Sequence, residues 1–148
     1  MQKLYKKSLL EGVALEPKLE ELLAEGFTEI DGCYFLNSML KKNTNVERDV
    51  FPDCTGFECF INSFYINDYV TRDVLEQGVL FLDEVISNWI KYSRRDLRCI
   101  LIFADDLKLK MHVEREGENW LCEDLEVYDE PILCASSAGY QVDSTVRR

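Results

Sequence analysis

The sequence predicts an α+β domain in which an antiparallel β-sheet, arranged as a meander after a long central helix, carries helices packed on one face. Three observations predict it. Apolar residues recur at helical period through residues 71–95, residues 107–113 alternate strictly between apolar and polar, and short turn signals separate the strand-like runs. Elements that follow one another so closely favour local connections.

In chain order, residues 16–26 (EPKLEELLAEG) read as a helix. Pro17 suits its first position, Glu20 and Glu21 complement the positive end of the dipole, and Gly26 suits the stop. Leu15, Leu19, Leu22 and Leu23 share a face. Asp31-Gly32 is a turn signal between short extended segments of residues 27–36, and the polar residues 41–49 form a connection. Residues 57–70 (FECFINSFYINDYV) are rich in aromatic and β-branched side chains and predict one strand ending near Asn67.

In residues 71–95, Leu75, Val79, Leu82, Val85, Ile86, Trp89 and Ile90 recur at three- and four-residue steps. Thr71 is the expected cap. Asp73 at the start and Lys91, Arg94 and Arg95 near the end complement the macrodipole. Gly78 costs about 1 kcal/mol relative to Ala inside a helix, which fits a site of close packing. Residues 99–104 (CILIFA) predict a strand in the middle of the sheet. After the Asp105-Asp106 turn, Leu107, Leu109, Met111 and Val113 face one way, and Lys108, Lys110 and His112 the other. A turn at Glu116-Gly117-Glu118 and short strands in residues 119–123 and 131–135 complete the sheet. Residues 1–136 are read as a single domain and residues 137–148 as a C-terminal tail.

The composition narrows the function. The chain has 148 residues, 47% of them hydrophobic and 30% charged, with a net charge of −11. That charge disfavours nucleic acid and anionic membranes and favours a basic protein partner. Six cysteines are present, but residues 1–10 contain no apolar core of a secretory signal, and no run approaches the roughly 20 apolar residues of a membrane helix. The expectation is a cytoplasmic protein with unpaired thiols, monomeric or weakly dimeric.

Catalytic and ligand signatures are missing. His112 is the single histidine and no Cys-x-x-Cys pair exists, so no zinc pattern forms. The seven glycines make neither a phosphate loop nor a nucleophile elbow. Adjacent acids such as Asp105-Asp106 and Asp129-Glu130 suit turns and solvated edges. No cofactor, metal or catalytic residue is therefore expected. The alternative is a small hydrolase or ligand-binding domain using His112 with a cysteine or carboxylates.

Charge is unevenly distributed. Residues 113–130 hold eight acids (Glu114, Glu116, Glu118, Glu123, Asp124, Glu126, Asp129 and Glu130) against one base, Arg115. Trp120 and Tyr128 lie among them, and aromatic residues are favoured at the energetic centres of interfaces. These ten acidic and aromatic residues form the expected docking surface.

Residues 56–70 (GFECFINSFYINDYV) and 113–131 (VEREGENWLCEDLEVYDEP) together resemble immunity proteins of bacterial contact-dependent growth inhibition systems. Arg115, Gly117-Glu118, Trp120-Leu121, Glu123-Asp124-Leu125-Glu126 and Tyr128 carry most of the likeness, which spans residues 56–135. The resemblance implies a non-enzymatic antidote that binds and blocks a toxin domain, often a nuclease with a basic substrate groove. It transfers no contact residues, so the docking surface rests on charge clustering.

Overall fold

The computed structural model describes residues 13–43, 45–118 and 132–138, and its class is α+β. Helix α1 (Pro17–Ala24) begins with Pro17 in its first turn and buries Leu19 and Leu22. No side chain of its own caps it. Instead buried Gln77 pins the lead-in strand of chain, its Oε1 accepting from Glu16 N at 2.9 Å and its Nε2 donating to Ala14 O at 2.9 Å. Strands β1 (Phe27–Ile30) and β2 (Cys33–Leu36) pair antiparallel across Asp31-Gly32. Both turn residues have positive φ, 53° and 84°, the geometry that matches the twist of a two-residue hairpin. A short helix α2 (Asn37–Lys42) follows.

The strand expected in residues 57–70 begins instead as helix, through Ile61, a correction. Helix α3 (Cys54–Ile61) starts where Asp53 accepts from Gly56 N at 2.8 Å, a side-chain cap. Only Ser63–Tyr65 forms strand β3, ahead of a 3-10 turn at Ile66–Asp68. The aromatic density that favoured a strand is met by helix packing: Phe57 contacts Phe35 at 5.1 Å edge-on and stacks on Phe51. Tertiary packing outweighed β-propensity.

Helix α4 (Val74–Tyr92) is the long helix, shorter at both ends than its period implies. Thr71 does not cap it. Asp73 holds the N-cap position at φ 53° without a side-chain bond, and Gln77 N donates to Asp73 O. Val79, Phe81, Leu82, Val85, Ile86 and Trp89 are buried along it. Beyond the other end, Arg95 O accepts from Trp89 Nε1 at 2.6 Å, which satisfies the buried indole.

Strands β4 (Leu97–Phe103) and β5 (Leu107–Val113) form the expected hairpin, Leu97 opposite Val113 and Phe103 opposite Leu107. The four-stranded sheet has order β3-β5-β4-β6, with β6 (Ile132–Ser136) antiparallel to β4. Only β4 and β5 are sequential neighbours in it. The outer edge of β5 is already taken by β3 and α3, so the returning strand finds its backbone partners on β4. Helix α4 packs on the face that carries Leu101, Leu107 and Leu109. A Cβ added at Gly78 would lie 2.5 Å from Leu107 Cδ2, which explains the glycine. Across α4, the hairpin β1-β2 brings Phe27 and Tyr34 to 5.1 and 5.4 Å from the Trp89 ring.

The expectation of unpaired thiols fails at one pair. Cys33 and Cys54 are disulfide-bonded, because β2 and the start of α3 bring their Cα atoms to 5.4 Å. Cys59 and Cys99 form no disulfide. Among the described residues no helix is long and apolar enough to cross a membrane.

Candidate functional site

Strand β3 covers only residues 108–110 of β5. Past it, two side chains of the α3 region take over the pairing that a strand would supply. Asn62 Oδ1 accepts from Leu36 N at 2.9 Å, and its Nδ2 donates to Tyr34 O at 3.1 Å and Met111 O at 3.4 Å. Glu58, fully buried, accepts from Val113 N at 2.8 Å and Tyr34 N at 2.7 Å. The first hairpin, α3 and the sheet thus meet on two polar side chains.

Arg115 completes this junction. Its Nη1 and Nη2 donate to Glu58 Oε1 and Oε2 at 2.9 and 2.6 Å, a two-pronged ion pair. Nη2 also donates to Gly32 O at 3.1 Å, and Nη1 to Val113 O at 3.2 Å. Thr55 Oγ1 donates to Glu118 Oε1 at 2.7 Å. Arg115 and Glu118 form an isolated antiparallel bridge around Gly117, whose φ is 80°. The first turn of the acidic stretch is therefore bolted to the fold. The sequence carried one signal for this: Glu58 is a lone acid in an apolar run, and a charge there needs a partner. It did not say which.

Of the expected docking residues, Glu114, Glu116 and Glu118 are described. Glu114 is half-buried, 4.0 Å from Arg98 Nε, and accepts from Ser136 Oγ. Glu118 turns in toward Thr55, and Glu116 is exposed. Trp120, Glu123, Asp124, Glu126, Tyr128, Asp129 and Glu130 lie outside the described residues, as does the expected strand in residues 119–123.

His112 sits on the sheet face opposite Leu107 and Met111, as alternation predicts, in register with Arg98. Although it shares that face with Lys108 and Lys110, it is buried, only 3% exposed. Its Nδ1–H donates to Val113 O at 2.9 Å. Burial pushes its pKa below 6.5, more than the Val113 bond and the Glu58 charge push it up, and Arg98 and Arg115 add to the depression. A shallow cleft of about 220 Å³ opens beside it, lined by Arg98, His112, Glu114, Arg115 and Glu116. No thiol lines it. Burial also pushes the Cys59 thiol up to about 12 and raises those of Cys99 and Cys134, so these thiols stay protonated near neutrality and are weak nucleophiles. Among the described residues no cluster of His, Cys, Asp and Glu is disposed to hold a metal.

Residues 1–145 match the Uncharacterized protein PM0498 family. A relative from Pasteurella multocida (strain Pm70), described as Uncharacterized protein PM0498, is 33% identical over 106 residues. The match covers 63% of this chain and 66% of the relative, so the chain spans just under two thirds of that protein's length. No solved structure matches.

Proposed function

We propose a function for a chain that belongs to the Uncharacterized protein PM0498 family: it is a cytoplasmic immunity protein. In this reading it binds and neutralises the C-terminal toxin domain, a nuclease, of a contact-dependent growth inhibition system. One observation carries the reading. Arg115, the single cation of residues 113–130, is spent on Glu58, while Glu116 in the same turn faces solvent. The stretch's own base therefore does not neutralise its acids, and of the three described ones Glu116 is open to a basic surface, while Glu114 lies 4.0 Å from Arg98 Nε and Glu118 accepts from Thr55. An inhibitor of this kind occupies the phosphate-binding groove of the nuclease, with charge setting the encounter rate and a desolvated centre setting the lifetime. In the Cys33–Cys54 bond Cys33 is fully buried and Cys54 half-buried, so a reducing thiol would reach it from the Cys54 side.

The test is whether a toxin domain is encoded beside this gene and binds this chain one-to-one, followed kinetically. Reversing Glu123, Asp124 and Glu126 to Lys slows association if the acidic stretch docks. Unaltered association removes that surface, and no binding of the wild type to any such domain removes the reading.

A second reading is favoured by the cleft: His112 as the polar anchor of a small-ligand or hydrolytic site. Its neutral imidazole, protonated at Nδ1, leaves Nε2 as an acceptor, and Glu114 and Glu116 supply carboxylates. Loss of a ligand-induced thermal shift in His112→Gln supports this reading, and an unaltered shift opposes it.

A further inference from the structure

Helices α1 and α4 border a groove of about 500 Å³, a volume within the range of ligand clefts. Leu15, Leu23 and Leu80 form its apolar floor and Val13 lines one end. Leu80, Glu84 and Asn88 fall at four-residue steps and so form one outward stripe of α4. On the opposite wall Glu20 of α1 accompanies Leu23. Glu20 and Glu84 are both exposed, and among the described residues neither carboxylate has a cationic partner. The groove shares no residue with the acidic stretch of residues 113–130.

From this juxtaposition we infer that the groove between α1 and α4 docks a cationic amphipathic helix of a partner protein. Aliphatic side chains of that helix would enter over Leu23 and Leu80, with lysines or arginines flanking them against Glu20 and Glu84. Each half of the chemistry has a reason. The half-buried leucines gain by losing water, and two exposed acids bordering an apolar floor select basic residues next to the anchors. The same acids disfavour an acidic or uniformly apolar helix. The inference needs no toxin as partner and so goes beyond the function proposed above.

A synthetic amphipathic peptide of about four helical turns, Leu at i, i+3, i+4 and i+7 and Lys elsewhere, is the probe. Its control has the same composition scrambled so that no face is apolar. Titrated into the full ¹⁵N-labelled chain, the probe should shift the amides of Val13, Leu15, Leu23, Leu80, Glu84 and Asn88, and the control should not. Glu20→Lys with Glu84→Lys should weaken the probe by about tenfold. Both residues are solvent-exposed, and circular dichroism checks that the pair still folds. Glu20→Gln with Glu84→Gln should weaken it less. Equal binding of the scrambled peptide, shifts confined to other residues, or indifference to the charge reversal overturns the inference. Two further results overturn it by naming another occupant. Concentration-dependent self-association lost in Leu80→Gln points to a second copy. Tighter probe binding by the full chain carrying Lys3→Glu, Lys6→Glu and Lys7→Glu points to the chain's own basic residues.

Discussion

Burial strips water from His112 and holds its pKa below the 6.5 of the exposed side chain. The unfolded chain therefore takes up this proton first as pH falls, and between the two values it binds more protons than the folded chain. Stability is fully present above 6.5 and declines as pH drops toward the folded value. His112→Gln should flatten that part of the profile, read as the urea midpoint between pH about 7 and about 5. An unaltered slope would show that other groups set it. Arg115 poses the complementary case, because removing it leaves Glu58 charged, buried and served only by backbone N–H groups. Arg115→Met should cost about 3–5 kcal/mol, while Arg115→Met with Glu58→Gln should cost less than the two single changes summed. Additive costs in a denaturant double-mutant cycle would deny the coupling. Neither prediction was legible in the sequence: alternation placed His112 on the right face but could not say that the face is covered, and the partner of Arg115 is 57 positions away.

Helices and strands were legible where one period ran long enough. The long helix, the β4-β5 hairpin and the Asp31-Gly32 turn follow from local pattern. Residues 54–61 do not, because a dense aromatic run suits either period and the cap on Asp53 together with the Phe35 and Phe51 contacts decides. Gly78 tests the packing of α4 on the sheet. Gly78→Ala gains about 1 kcal/mol of helix propensity, yet its methyl group displaces Leu107, with Ile66 and Leu101 each 3.6 Å away. Overpacking costs about 1–3 kcal/mol, so the variant should be less stable, and a raised thermal midpoint would show that Leu107 moves freely. The Cys33–Cys54 bond closes a loop of sequence separation 21. Replacing both by Ser should cost about 3 kcal/mol by chain-entropy reasoning. An unaltered urea midpoint, with mass spectrometry confirming the bond in the wild type, would sink that figure.

At the scale of the whole molecule, charge is the dominant property, −11 over 148 residues. Long-range attraction of a basic partner decays over a Debye length of about 8 Å at physiological ionic strength. If the proposed inhibitor reading holds, raising salt from about 50 to about 500 mM should slow association with the toxin domain far more than it speeds dissociation. A salt-insensitive association rate would speak against docking through the acidic stretch. In the fold itself, Arg115 and Glu118 anchor the first turn of the stretch, residues 115–118.

The sequence by itself determined the α+β class, the long amphipathic helix, the strand alternation and the concentration of acid in residues 113–130. All of these are local: periods, turn residues and composition act between near neighbours. Only the tertiary structure decided that β6 returns to β4, that Cys33 meets Cys54, that His112 is buried and that Glu58 receives Arg115. Each of those depends on which distant segments share a surface. A buried polar group settles on whichever partner the assembled core brings within hydrogen-bonding distance, and no local pattern encodes that choice.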